Sequence, residues 1–516
     1  MNLTIFIFTV LLLLIAEGTG AWTKRVLGIE RRGYHAPVGF AFLLSVIEVL
    51  SLPALIMDLS FHWVIVVTCI VLAAGCVFLL FDLEDVRRSL FRWETLIVLA
   101  CMALFIALSF RRGGVLTSPL EQDLSNKSVS ALQAPKYQAY YHFAVCFAWL
   151  CNLPAKVFHI ISPISLGQAE IYGLGMFYTA VSSMVIVDVV RRFHLKNHWF
   201  EFSLLVFLLL NGNYTAWSET NAWLGSSWLI LFTAVSMLVC YSYVKSGNEQ
   251  IKYLLLPVFG AGFACDNGFG LCSVAVLYGF LCYLLSVRKI RCLFDFFTFL
   301  IPLVLYVAVK SSDSWWWPLS WMLFFLYLWF SFRRYHRPLR RWIARTEEFL
   351  FDHGKLIMIG IIPALMTVFS LIITFVVKNS SLVSYSYYFQ DFTEIPGIRD
   401  YIFLHSDIVE IILNIFRWGG AVCLYFLAEQ PQDRMMRSIL ICTLVLFVNP
   451  LCTPAISYMT GPMFVYTFSV LFNPCTEGIM FLFVYRMFQW TVIGQWVLEL
   501  TLCFGALFGL VGILLL

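Results

Sequence analysis

The chain predicts an all-α, polytopic transmembrane helical bundle of roughly 14–16 spans, with two larger extracytoplasmic loops and an interfacial amphipathic helix. Three observations carry that expectation. Arginines and lysines gather at Lys24 to Arg32, Arg87 to Arg92, Arg191 to Lys196, Arg288 to Arg291 and Arg333 to Arg345. An even number of bilayer-length apolar stretches separates each cluster from the next, which assigns all five to the cytoplasmic side. Hydrophobic residues make up 61% of the 516 and charged residues 12%, with a mean hydropathy of +0.85, more apolar surface than a water-soluble core of this length hides. Two polar stretches of about 28 to 30 residues are longer than the connections of a tight bundle.

The net charge is +4, and its cations sit in short loops, so it sets orientation rather than affinity for nucleic acid; membrane lipids are the expected surroundings. Fifteen cysteines fall mostly inside apolar runs without the paired spacing of zinc or disulfide frameworks, and read as small core residues.

Taken in order, the first apolar run, Leu3 to Ile15, has no cation before it and Lys24 and Arg25 after it. That charge order is the reverse of a secretory signal, so a retained first span with an extracytoplasmic amino terminus is expected. Spans at 36–57 and 61–82 form an outward hairpin that returns at Arg87, and 94–110 exits, completing amino-terminal spans over 1–110. Residues 111–169 form the first outer loop with the interfacial helix, Arg111 and Arg112 being a local exception to the charge rule. The span at 170–190 returns to Arg191. Pairs at 198–211 and 222–243, 252–265 and 269–287, and 293–309 and 315–332 then complete central spans over 170–332. A basic cytoplasmic loop, 333–355, precedes carboxyl-terminal spans over 356–516, with the second outer loop at 378–407. Sequons at Asn126, Asn213 and Asn379 fall outside by this parity, and the plasma membrane is the expected location.

The two outer loops are where chemistry is expected. In the first, Glu121, Asp123 and Lys127 precede a segment holding Lys136, Tyr137, Tyr140, Tyr141, His142 and Trp149, whose helical spacing lays it along the interface. Aromatic residues also belt membrane surfaces with no ligand present, so both readings stand. The second loop interleaves Asp391, Glu394, Arg399, Asp400, His405 and Asp407 with four tyrosines. Aromatic faces pack on sugar rings, carboxylates hold hydroxyls and arginine binds phosphate, a mixture suited to a phosphorylated glycosyl donor and equally to an ordered loop without a ligand. Farther on, Asn449-Pro450 and Asn473-Pro474 bracket Thr460, Gly461 and Pro462, predicting broken helices that line a passage or simply kink. No ladder of buried charge is expected through the spans, with Asp188, Asp295, Glu410 and Arg417 near span ends.

The segment YQAYYHFAVCFAWLCNLPAKVFHIISPISLGQAEIYGLGMFYTAVSSMVIVDVVRRF follows a long outer loop with an acidic residue, and this layout resembles the GT-C membrane glycosyltransferases over residues 94–243. The resemblance implies transfer of a sugar from a polyprenyl-phosphate donor, the lipid-linked co-substrate, to an extracytoplasmic lipid, polysaccharide or protein acceptor. It implies Asp123 as general base on the acceptor hydroxyl, with Glu121 as substitute or metal-binding neighbour, which leaves a divalent metal open as cofactor. The loop here follows the fourth predicted span rather than the first. Glycosyl phosphate carries its own leaving group, so transfer needs a base for the hydroxyl and positive charge for the departing phosphate, from Arg399 or Lys136. His142 and His405 are alternative bases or phosphate donors. Motifs for nucleotide hydrolysis, zinc proteolysis and serine hydrolysis are absent from the sequence. A lipid-linked saccharide transporter or flippase, or a polysaccharide polymerase, is the alternative.

Overall fold

The computed structural model describes residues 3–29, 33–56, 60–112, 139–158, 164, 166–218, 225–265, 268–288, 345, 348–376, 408–449, 451–489 and 491–515. Among them there are helices and turns and no strands. Apolar side chains run all round most of these helices, so neighbours are chosen by close packing rather than by one greasy stripe.

The amino-terminal group is α1 (Leu3–Val26), α2 (Ala36–Ile56), α3 (His62–Phe81), the short α4 (Leu83–Leu90) and α5 (Glu94–Arg112). α1 packs between α2 and α3, and Gly39 allows the α1–α2 contact, since a Cβ there would stand 1.8 Å from the Ala16 carbonyl oxygen. α6 (Ala139–Phe158) lies on α1, α2, α3 and α10 (Leu255–Cys265). Its residues Phe143, Ala144, Phe147 and Cys151 join the core, so the predicted interfacial segment is a helix set well into the bundle.

A π-helical turn, Ala169–Leu174, leads into α7 (Gly175–Arg192), which is buried from Gly175 to Val190 and packs on α5 and α8 (His198–Ser218). α9 (Gly225–Ser246) and α11 (Phe269–Val287) follow, α11 lying along α14 (Pro431–Cys442). Beyond a π turn, Leu356–Ile361, α12 (Ile362–Val376) shows largely exposed apolar side chains, as a lipid-facing helix does. α13 (Ile408–Leu427) packs on α16 (Pro474–Phe488), and α17 (Val492–Leu515) on α8.

Between α14 and α16 the chain is broken as the Asn-Pro pairs predict: α15 (Thr453–Thr460) passes into a 3₁₀ stretch, Gly461–Val470, before α16 begins at Pro474. Asn473 caps α16, its Oδ1 accepting the amide N–H groups of Cys475 at 3.0 Å and Thr476 at 3.1 Å.

Among the described residues six helices are long and apolar enough to cross a membrane: Leu3–Val26, His62–Phe81, Ala169–Arg192, Ser227–Ser246, Phe269–Val287 and Glu348–Ile373. A seventh is added if α4 and α5, bent by 76°, are one broken span.

The basic helix ends meet in space. Arg25 holds Asp82 at 2.6 Å and Arg191 holds Glu94 at 2.6 Å. Lys245 donates to the Arg192 carbonyl at 2.9 Å, and Arg486 holds Asp433 at 2.9 Å. One end of the bundle is therefore rich in cations. α5 starts at this end with Glu94 on Arg191, and α13 finishes there with the Tyr425 carbonyl on Arg437, so residues 112 and 408 lie toward the opposite end. So do 139 of α6, whose His142 meets Phe61 ahead of α3, and 376 of α12, which runs from Gly354 beside Leu285 to Ser370 on Cys452.

Candidate functional site

Most of the predicted site lies outside the described residues: Glu121, Asp123, Lys136, Tyr137, Asp391, Glu394, Arg399 and His405. Tyr141 belongs to α6, and its side chain is outside the described set. His142 is described, and it is buried near the start of α6 with its ring 5.7 Å from that of Phe61.

Two further ionisable side chains are buried on elements that touch α6: Glu48 on α2, and Glu170 in the π turn. A π turn widens the helix by one residue and releases a carbonyl from the regular ladder, a distortion frequent at functional sites. Here Thr9 on α1 donates to the Gly173 carbonyl at 3.3 Å. Asn152 ties the chain beyond α6 back onto it, its Nδ2 donating to the Ile164 carbonyl at 2.7 Å and its Oδ1 accepting the Ile164 N–H at 2.6 Å. Beneath these groups Trp228 is packed among Phe40, Phe177, Tyr178 and Phe232, with centroid separations of 4.9 to 6.1 Å. The arrangement brings an imidazole and two carboxyls onto mutually packed helices at the cation-poor end. Imidazole and carboxyl groups are the ordinary proton carriers of hydroxyl activation.

No protein-family model, curated protein or solved structure matches the chain. Among the described residues no three His, Cys, Asp or Glu side chains are grouped as metal ligands require, and the loop carboxylates Glu121 and Asp123 are not among them.

A second polar cluster closes the cation-rich end. The Glu17 carboxylate accepts the N–H groups of His35 at 2.9 Å and Ala36 at 2.5 Å, capping α2, and also accepts the Ser89 hydroxyl. Lys24 donates to the Tyr34 carbonyl at 3.0 Å and to His35 Nδ1 at 2.9 Å. Asp188 on α7 accepts the Tyr34 N–H at 3.1 Å. Gly33 has φ +82°, and a Cβ there would stand 2.7 Å from an Asp188 carboxylate oxygen. The Tyr34 hydroxyl lies 3.1 Å from Thr95 Oγ1, and burial pushes its phenol up to about 12. Each acid here is answered by a backbone donor or a cation, which makes the cluster a clamp joining α1, α2, α4, α5 and α7.

A third feature lies between the ends. Arg417 on α13 and Glu477 on α16 are buried and 2.8 Å apart, and Arg417 also donates to Asn414 at 3.0 Å. Glu477 stands nine residues before Arg486, about 14 Å along a helix and so close to mid-depth of a bilayer core of about 30 Å. Sequence reasoning missed this pair and the buried Glu17, Glu48 and Glu170, expecting charge only at span ends. It also placed the Asn213 sequon in an outer loop. Asn213 is instead buried in α8, where its Nδ2 donates to Ser183 at 3.1 Å and to the Leu209 carbonyl at 3.0 Å.

Proposed function

We propose that the protein is an integral membrane glycosyltransferase of the GT-C type, moving a sugar from a polyprenyl-phosphate donor to an extracytoplasmic acceptor. One observation carries the reading: the helices flanking residues 113–138 and 377–407 all open at the cation-poor end of the bundle, where His142, Glu48 and Glu170 are buried. The positive-inside rule makes that end extracytoplasmic; the first stretch carries Glu121, Asp123, Lys136 and Tyr137, and the second interleaves Asp391, Glu394, Arg399 and Asp400 with aromatic residues. The same reading takes roughly 14–16 spans with two outer loops, a plasma-membrane location and an amino terminus outside.

In this reading Asp123 takes the proton from the acceptor hydroxyl as oxygen attacks the anomeric carbon and the bond to the lipid phosphate breaks. Lys136 or Arg399 faces the phosphate that departs, and the tyrosines hold the sugar ring. The test is release of polyprenyl phosphate from a panel of lipid-linked sugars by the purified protein. Loss of release in Asp123→Asn, with folding intact, supports the assignment, and no release by the wild-type protein from any donor sinks it.

A transporter or flippase of lipid-linked saccharides is the second reading, favoured by the mid-depth Arg417–Glu477 pair at the start of a discontinuous helix. Movement of a labelled lipid-linked sugar across vesicles without bond cleavage would decide for it.

A further inference from the structure

α4 is unlike the helices around it. Its axis turns by 76° from α5, so it crosses the cation-rich end of the bundle while α3 and α5 run along it. One side is fixed inward, with Val86 and Ser89 buried and the Ser89 hydroxyl on Glu17. The other side carries Leu83, Arg87 and Phe91 in one line at a spacing of four, with Arg88 beside them, and all four are exposed. The Arg87 guanidinium lies 5.8 Å from the Phe91 ring centre, and Trp93, 66% exposed, stands at the junction with α5.

This outward side continues an apolar surface. Val66, Ile70, Val77 and Leu80 are exposed along α3, and Leu96 and Leu99 along α5, a pattern that suits contact with acyl chains. α4 lies where that surface ends. At such a boundary arginine stems lie along apolar surface and carry their charge to phosphate level.

We propose that α4 is an in-plane anchor that binds anionic phospholipid headgroups in the leaflet at the cation-rich end, with Arg87 and Arg88 on the phosphates and Leu83, Phe91 and Trp93 in the acyl boundary. This is independent of the glycosyltransferase reading. Glu84, 2.5 Å from Arg88, is itself exposed, so its ion pair is weak and a lipid phosphate displaces it. Arg25 is held by Asp82 and plays no part.

The test uses the full-length protein in detergent, titrated with phosphatidylglycerol or phosphatidylcholine while thermal stability is followed. The wild-type protein is expected to bind phosphatidylglycerol more tightly. Arg87→Gln/Arg88→Gln is expected to weaken phosphatidylglycerol roughly 10- to 30-fold with little effect on phosphatidylcholine, from about tenfold or less per surface arginine. Raising salt to about 0.5 M is expected to weaken the wild-type preference in the same direction, with no variant needed. Equal affinity for the two lipids overturns the proposal, as does salt-independent phosphatidylglycerol binding. Undiminished binding by the folded double variant, the result expected if this face serves a soluble protein instead, also overturns it.

Discussion

Glu477 and Arg417 hold one another at 2.8 Å from two helices that meet inside the apolar core. Both side chains are buried, and the Arg417 guanidinium is the counter-charge that offsets the burial of the Glu477 carboxylate. Removing one charge leaves the other buried and uncompensated, which costs about 3–5 kcal/mol, whereas replacing both with apolar groups is close to neutral. Arg417→Met and Glu477→Met are each expected to lower resistance to denaturant sharply, and the double variant to recover most of the loss. A double-variant loss equal to the sum of the two single losses would show that the contact is incidental.

Gly33 is constrained twice, by its positive φ and by the Asp188 carboxylate against its α-carbon. Gly33→Ala is expected to destabilise by about 1–3 kcal/mol, since it strains the backbone and pushes Asp188 from the Tyr34 N–H. Denaturation curves for Gly33→Ala and Asp188→Ala, with their double variant, check this. The double variant is expected to lose less than the sum of the two, because both act on one contact.

Tyr34 ties stability to alkaline pH. Its phenol titrates near 10 when unfolded and is raised to about 12 in the fold, chiefly by burial. A raised folded value means that the stabilisation is complete below pH 10 and disappears as pH climbs through 12. Melting temperatures measured from pH 8 upward should therefore fall above pH 10 by less in Tyr34→Phe than in the wild type. Superimposable pH profiles would remove Tyr34 from the clamp's titration.

Orientation has a chemical test. Cysteine placed at Arg88 on a cysteine-depleted background is expected to react with an impermeant maleimide only after the membrane is opened, whereas cysteine at Lys136 reacts in intact cells. In a host that glycosylates sequons, Asn213→Gln is expected to leave electrophoretic mobility unchanged, because the amide is locked onto Ser183 inside α8. A mobility shift would contradict its burial.

How far these features were legible depends on sequence distance. The apolar runs near 36–57, 61–82, 170–190 and 269–287 announce α2, α3, α7 and α11 within a few residues, because the length of an apolar run is local information. The Asn473-Pro474 break is legible for the same reason: proline lacks an amide hydrogen and asparagine caps. α4 was not read as a helix, since LEDVRRSL is short, polar and looks like any loop between spans. Glu17 was invisible as a hub because its partners His35 and Ser89 are 18 and 72 residues away, and nothing near Glu17 announces them. Glu477 was missed likewise: its counter-charge is 60 residues upstream on α13. As for the predicted site, only His142 among its named side chains can be located in the fold, buried rather than lying on an open surface.

The shortness of α16 has a bearing on how the chain is made. Its 15 residues, Pro474–Phe488, extend about 22 Å, less than the thickness of a bilayer, and its first turn carries a carboxylate. Such a segment partitions poorly on its own. It is expected to enter lipid late, onto an assembly already formed, with Arg417 of α13 lacking its counter-charge until some 60 further residues have been synthesised. Nascent chains halted between α13 and α16 would therefore be the natural prey of membrane quality-control proteases, and completed ones would be spared.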